Sequence, residues 1–268
     1  MTLFQRFQAS WGRDRLLGRV VRNSGYLFAS NAISAILSIL TANLLGVAQF
    51  GALGMIISFV SNINRILSFR MGELVVRYMG DYLAQGEKQK AAAIVKAAGL
   101  AEAITSIVAF LVLLITAPLG AKYIIHDSSV SEMIIVYGLS ILGMMLVETS
   151  TGVLQVGGNF RGQSVINLIQ ALVTAAGILY AYVTQSGVMV VLLAYLSGKL
   201  ITGIGPFFLA INRMQELFGK NWLSAPMREL PSPKEIIKFA VSTNISGTIN
   251  MVVRDSELLW VGGIFNAQ

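Results

Sequence analysis

The chain has no cysteine and a single histidine, His126. Disulfides and thiolate metal sites are therefore excluded, and one imidazole leaves no cluster of ligands for zinc or iron. Charge is scarce as well: Asp, Glu, Lys and Arg make up 12% of the 268 residues, against 55% hydrophobic. A soluble domain of this size cannot hide so much apolar surface, and the mean hydropathy of +0.69 points to a polytopic membrane protein. The 26 glycines include no GxxxxGK[ST] run and no strand-turn-helix setting, so neither ATP nor another cofactor is expected. Glycine in a span instead lets helices pack closely. A cleavable signal is also missing, because Arg6, Arg13, Arg15, Arg19 and Arg22 precede an apolar run that is too long and has no small-residue cleavage site. The net charge of +7 does not call for nucleic acid, since the cations sit beside apolar spans, where they set topology.

What is present is organised around Leu44 to Tyr78. From Ser58 onward, Ser58, Ser61, Asn62, Arg65 and Ser68 recur at steps of three and four, which places them on one helical face. Facing hydrocarbon, that stripe would cost several kcal/mol, so it must line a protein interior or a hydrated cavity. A second stripe, Asn31, Ser34, Ser38 and Thr41, lies on the preceding span. It is weaker evidence, because Ser and Thr also bond to their own helix backbone.

Residues 1–22 read as a cytoplasmic amphipathic basic segment on an anionic membrane surface or as a basic tail. Six spans follow within residues 23–211: about 24–47, from Phe50 to a basic segment with Arg70, Arg77, Lys88 and Lys90, then 91–117 ending at Pro118, 131–154, 164–184 and 188–211. Lys96 and Glu102 lie in the inner half of the third, Glu148 in the fourth and Lys199 near the middle of the sixth. Basic loops alternate with non-basic ones. The N-terminus, 70–90, Arg161 and 212–234 hold fourteen Lys or Arg, whereas the opposite loops hold only Lys122. The N-terminus is therefore expected on the cytoplasmic side, and His126-Asp127 in an outer surface loop.

Residues 212–234, closed by Pro231 and Pro233, read as a cytoplasmic linker between two lobes. Residues 235–268 hold a seventh helix whose polar face is Thr243, Ser246, Asn250, Arg254 and Glu257, with Asp255 alongside. The end at IFNAQ without flanking charge, and an echo of Ser30-Asn31 in Thr243-Asn244, suggest a chain cut from a two-lobed protein.

Leu45-Gly46, Phe50-Gly51, Gly72, Arg77-Tyr78 and Glu87-Lys88 carry a resemblance. The run LLGVAQFGALGMIISFV followed by RMGELVVRYMGDYLAQGEKQKA resembles the N-terminal signature of bacterial polysaccharide biosynthesis flippases, the O-antigen type within the multidrug/oligosaccharidyl-lipid/polysaccharide exporter superfamily. Motif matching covers about residues 22–100 and the start of the seventh span. The resemblance implies an all-α membrane bundle: the N-terminal six-helix lobe plus the first helix of a second lobe. Spans one, two, seven and eight would line the cavity between lobes. It further implies an inner-membrane transporter that moves undecaprenyl-diphosphate-linked oligosaccharide for surface polysaccharide biosynthesis. Its partners would be the lipid-linked substrate, membrane lipids and the polymerase and glycosyltransferases of the same route.

For that substrate Arg65 leads as a phosphate ligand, since guanidinium makes bidentate contacts, with Arg254, Asn31, Ser61, Asn62 and Asn250 around the cavity. A structural ion pair of Arg65 with Glu102 or Glu148 is the alternative. Glu102, Glu148, Lys199, Asp255 and Glu257 are coupling or ion-pair candidates, and Arg70 and Arg77 mark the cytoplasmic mouth or merely anchor topology. A cation-coupled multidrug exporter of the same fold would need cavity carboxylates, and span one has none. A membrane glycosyltransferase or polymerase would need a larger outer loop or soluble domain.

Overall fold

The computed structural model describes residues 15–69 and 71–230, with Lys238, Phe239, Val241, Ser242 and Ile245 beyond them; side chains are described from Ser24 onward, Glu229 excepted. Every regular element among these residues is helical, which is the economical solution for backbone in hydrocarbon, where each N–H and C=O must find a partner within its own segment. The elements are α1 (Arg15–Leu67), α2 (Gly72–Ala84), α3 (Lys88–Gly120), α4 (Ser131–Gly143), α5 (Val147–Val156), α6 (Phe160–Val183) and α7 (Val188–Phe218). A π turn (Ala121–Ile125) and short 3-10 turns (Ser128–Val130, Trp222–Ser224, Met227–Glu229) complete them.

Among the described residues, five runs are long and apolar enough to cross a membrane: Gly25–Leu67, Lys88–Ile125, Ser128–Val156, Phe160–Val183 and Val188–Phe218. The chain is a polytopic membrane helix bundle. The first run differs from expectation, because residues assigned to two spans form one stretch of 43 residues. It is bent at Gly46, whose φ of 73° and ψ of 169° belong to glycine alone. Each arm, 25–45 and 47–67, measures about 30 Å, the thickness of a bilayer's hydrocarbon core.

Of the further interruptions, one falls near the expected end of the second span and one where no span end was expected. The segment after α1 leaves helix at Ser68 and resumes at Gly72, and the fourth run is broken into α4 and α5 at residues 144–146. By contrast Pro118, expected to stop the third span, lies inside α3. Proline there forgoes the bond to the Leu114 carbonyl, yet the helical run continues past it through the π turn to Ile125. The sixth helix also continues past residue 211 to Phe218.

Buried apolar residues fall into two separate clusters. One joins Leu53, Ile56 and Val60 of α1 to Leu113 and Ala117 of α3, Ile134 and Ile141 of α4, Ile178 of α6 and Leu192 of α7. The other joins Leu74, Val75 and Met79 of α2 to Ala91 and Ile94 of α3, Leu154 of α5, and Ala210 and Met214 of α7. Small residues bring helices together within the second. A Cβ on Gly152 would lie 2.8 Å from the Gly72 carbonyl oxygen and 3.0 Å from Val75 Cβ, so α2 and α5 touch almost backbone to backbone.

Candidate functional site

The ionisable residues that apolar helices carry fall into two groups once their surroundings are known. Glu102 of α3 is 2% exposed, and its carboxylate accepts from the backbone N–H of Glu148 and of Thr149, each at 2.9 Å. These are orphan donors of the first turn of α5, created by the break at 144–146, and they need an acceptor where no water is at hand. Glu102 thus caps a helix start from a neighbouring helix. A carboxylate also complements the positive end of the helix dipole. Glu148 is half-buried and stands against the first turn of α2. A Cβ on Gly72 would come within 2.9 Å of its Oε2.

The break after α1 is served by the same face of α3. Phe69 N–H donates to Thr105 Oγ1 at 3.1 Å, and Ser68 Oγ lies 3.4 Å from Ser106 Oγ. Ser68 also donates to Asn64 Oδ1 at 2.6 Å. Glu102, Thr105 and Ser106 are within little more than one turn of each other, so a single helix satisfies polar groups freed at two interruptions.

The second group points outward. The Arg65 and Lys199 side chains are exposed on the bundle. Lys199 lies about 16 Å along α7 from its start at Val188, within hydrocarbon depth for a helix of this length. Exposed cations on apolar helices form a surface suited to an anion. Along α1, Asn62 is buried at 7% exposed and its amide donates to Ser58 Oγ at 3.4 Å, while Ser61 is half-buried. On the preceding arm Asn31, Ser34 and Ser38 are exposed. Thr41 is fully buried, and Ser34 and Thr41 donate to the Ser30 and Leu37 carbonyls, the self-bonding that weakens such a stripe as evidence.

At the end of the bundle near Gln85, Arg77 is exposed and its guanidinium lies 5.6 Å from the Tyr78 ring centre and 5.3 Å from that of Phe239. At the other end, Ser129 Oγ and N–H hold the Asp127 carboxyl below the usual carboxylate range, and His126 takes a left-handed φ of 60°. That loop is ordinary exposed surface. Arg70, Asn250, Arg254, Asp255 and Glu257 lie outside the described residues, as do most of residues 231–268. The alternative pairing of Arg65 with Glu102 does not describe Glu102, whose oxygens turn to the α5 backbone. The interruption at 144–146 was missed from sequence. Its one signal was acidic residues at matching depth, Glu102 and Glu148, in otherwise apolar runs.

The family model described as "Polysaccharide biosynthesis protein" matches residues 20–257. The chain is also similar to "Inner membrane protein YghQ" of Escherichia coli (strain K12), with 25% identity over 181 residues, which cover 66% of this chain and 51% of that protein. The chain therefore spans about half the length of the curated relative it matches. No solved structure matches it.

Proposed function

The chain belongs to the polysaccharide biosynthesis protein family, and from that premise we propose that it forms the N-terminal six-helix lobe and the start of the second lobe of a transporter. The transporter resides in the inner membrane with its N-terminus cytoplasmic, and flips undecaprenyl-diphosphate-linked oligosaccharide by alternating access. In this reading both arms of α1 cross the bilayer, residues 212–234 link the lobes, and the exposed face of Arg65 and Lys199 looks into the cavity between them. The inner-membrane relative and the cation count of the loops support the placement.

The observation that carries the proposal is that Arg65 and Lys199 are both exposed cations on apolar, membrane-length helices. Exposed cations within a membrane bundle are costly, and binding a diphosphate lowers that cost, with the guanidinium making bidentate contacts and the ammonium a single strong one. The acidic residues of the described spans support this reading over a multidrug exporter, because the Glu102 carboxylate is turned inward to a helix start and is not offered to a cationic drug.

The test replaces Arg65 and Lys199 in the gene's full reading frame, in cells lacking their own flippase, and measures surface polysaccharide at equal protein level. Arg65→Ala and Lys199→Met should each abolish export, and Arg65→Lys should restore part of it. Normal export in both the alanine and the methionine variants would refute the site.

A further inference from the structure

The two hydrophobic clusters divide every helix they share at one level. In the α1–α2 segment the first cluster reaches residue 67 and the second begins at Phe69. On α3 the second stops at Ala101 and the first begins at Ala109. In the α4–α5 run the first ends at Ile141 and the second begins at Val153, and on α7 the corresponding residues are Leu200 and Leu209.

Between them lies a layer of different composition. It holds the buried polar residues Glu102, Ser106, Thr149 and Ser150, and it also holds three backbone weaknesses of the described residues. These are the interruption at 68–71, the interruption at 144–146 and Pro206 within α7, which has no N–H for the Thr202 carbonyl. They are in contact: a Cβ on Gly203 would meet the Gly143 carbonyl oxygen and, at 3.0 Å, Met144 Cα. Glu102 bonds to the start of α5, Thr105 to Phe69, and Glu148 stands against Gly72.

Apolar cores resist deformation because they are close-packed, whereas backbone interruptions are where helices change direction. We propose that this layer is a hinge across the bundle. The half built on α2, the first turns of α3, α5 and the end of α7 tilts as one unit against the half built on α1, α4 and α6, with the Glu102 cap as its latch. This deepens the alternating-access reading, on which its role in transport rests. Gating would occur by bending within a lobe as well as by rocking of lobes, while the bending itself needs no substrate to be observed.

The absence of cysteine makes the test direct. Spin-label pairs are placed in the 268-residue chain in lipid nanodiscs at exposed positions: Gln85→Cys with Ser224→Cys in one half, Ser128→Cys with Thr184→Cys in the other, and Gln85→Cys with Thr184→Cys across the layer. The distance distribution of the last pair should be bimodal or about twofold broader than those of the first two. Glu102→Ala should widen it further while leaving the pairs within each half unchanged. Three equally narrow distributions, or broadening of the pairs within halves as great as that across the layer, would overturn the hinge. Should the Glu102→Ala chain fail to insert, the three pairs in the native background decide the matter. A broad diagonal pair in a protein that moves no oligosaccharide would keep the hinge and remove only its role in flipping.

Discussion

Replacing Glu102 by alanine isolates the cost of an uncapped helix start inside a membrane bundle. The substitution leaves the N–H groups of Glu148 and Thr149, each now 2.9 Å from a carboxylate oxygen, facing a site that is 2% exposed. An unsatisfied buried donor costs about 1–3 kcal/mol, so two cost about 2–6 kcal/mol. Removing a buried carboxylate refunds some of its desolvation, which brings the net loss to roughly 2–4 kcal/mol. At about 2–4 °C per kcal/mol for a chain of this size, melting should fall by roughly 5–15 °C. The assay is thermal unfolding of the detergent-solubilised chain, followed as loss of the monodisperse peak in size-exclusion chromatography. Glu102→Gln should be intermediate, because its amide retains one acceptor and turns a donor toward a donor. Glu87→Ala serves as control. It removes a partly exposed 3.0 Å pair with Lys90 and should shift melting by no more than about 2 °C. A Glu102→Ala chain that melts together with the control would refute the capping argument.

Other expectations use the same melting measurement or simple chemistry. Gly152→Ala puts a methyl 2.8 Å from the Gly72 carbonyl oxygen, where backbone must move, and should cost about 1–3 kcal/mol; Gly80→Ala meets nothing within 4 Å and should gain about 0.5–1 kcal/mol from helix propensity. Equal melting of the two variants would show that α2 and α5 are not in backbone contact. Gly46→Ala should cost about 1–3 kcal/mol, since φ 73° is strained for any side chain at that ψ, and an unchanged melting point would remove the bend. Cysteines at the exposed positions Ser128 and Ser224 should differ in reaction with an impermeant thiol reagent on intact cells. Stronger labelling at Ser224 would invert the proposed orientation.

The apolar runs were legible in the sequence because a span is a property of composition over about 20 residues. The bend at Gly46 was legible too, if a few residues late, through Leu45-Gly46 and Phe50-Gly51. The interruption at 144–146 was not. Gly143, Met144, Met145 and Leu146 contain nothing that forbids helix, and the break is held by a partner 46 residues away in the chain, Glu102 bonding to Glu148 N–H. Local pattern reports what a segment can do alone, whereas this break exists because another helix supplies its acceptor. Pro118 errs the other way: a residue that often ends helices lies within α3, in a run that continues to Ile125 at the loss of one backbone bond.

The charges within the spans teach the same distinction. From sequence alone Glu102, Glu148, Arg65 and Lys199 were each costly in hydrocarbon and each open to a structural or a transport role, with Arg65 leading as a phosphate ligand. What separates them is the direction of the side chain, which depends on how the helices are rotated against one another. Glu102 turns inward and ends on two backbone donors, so its cost is offset within the fold. Arg65 and Lys199 turn outward and are exposed on the bundle. An uncharged polar group at either position would satisfy a merely hydrated face at lower cost. Retaining two cations there makes sense for a surface that must meet an anion, and the bulky, doubly charged head of a lipid-linked oligosaccharide is the anion that the proposed transport brings to this depth.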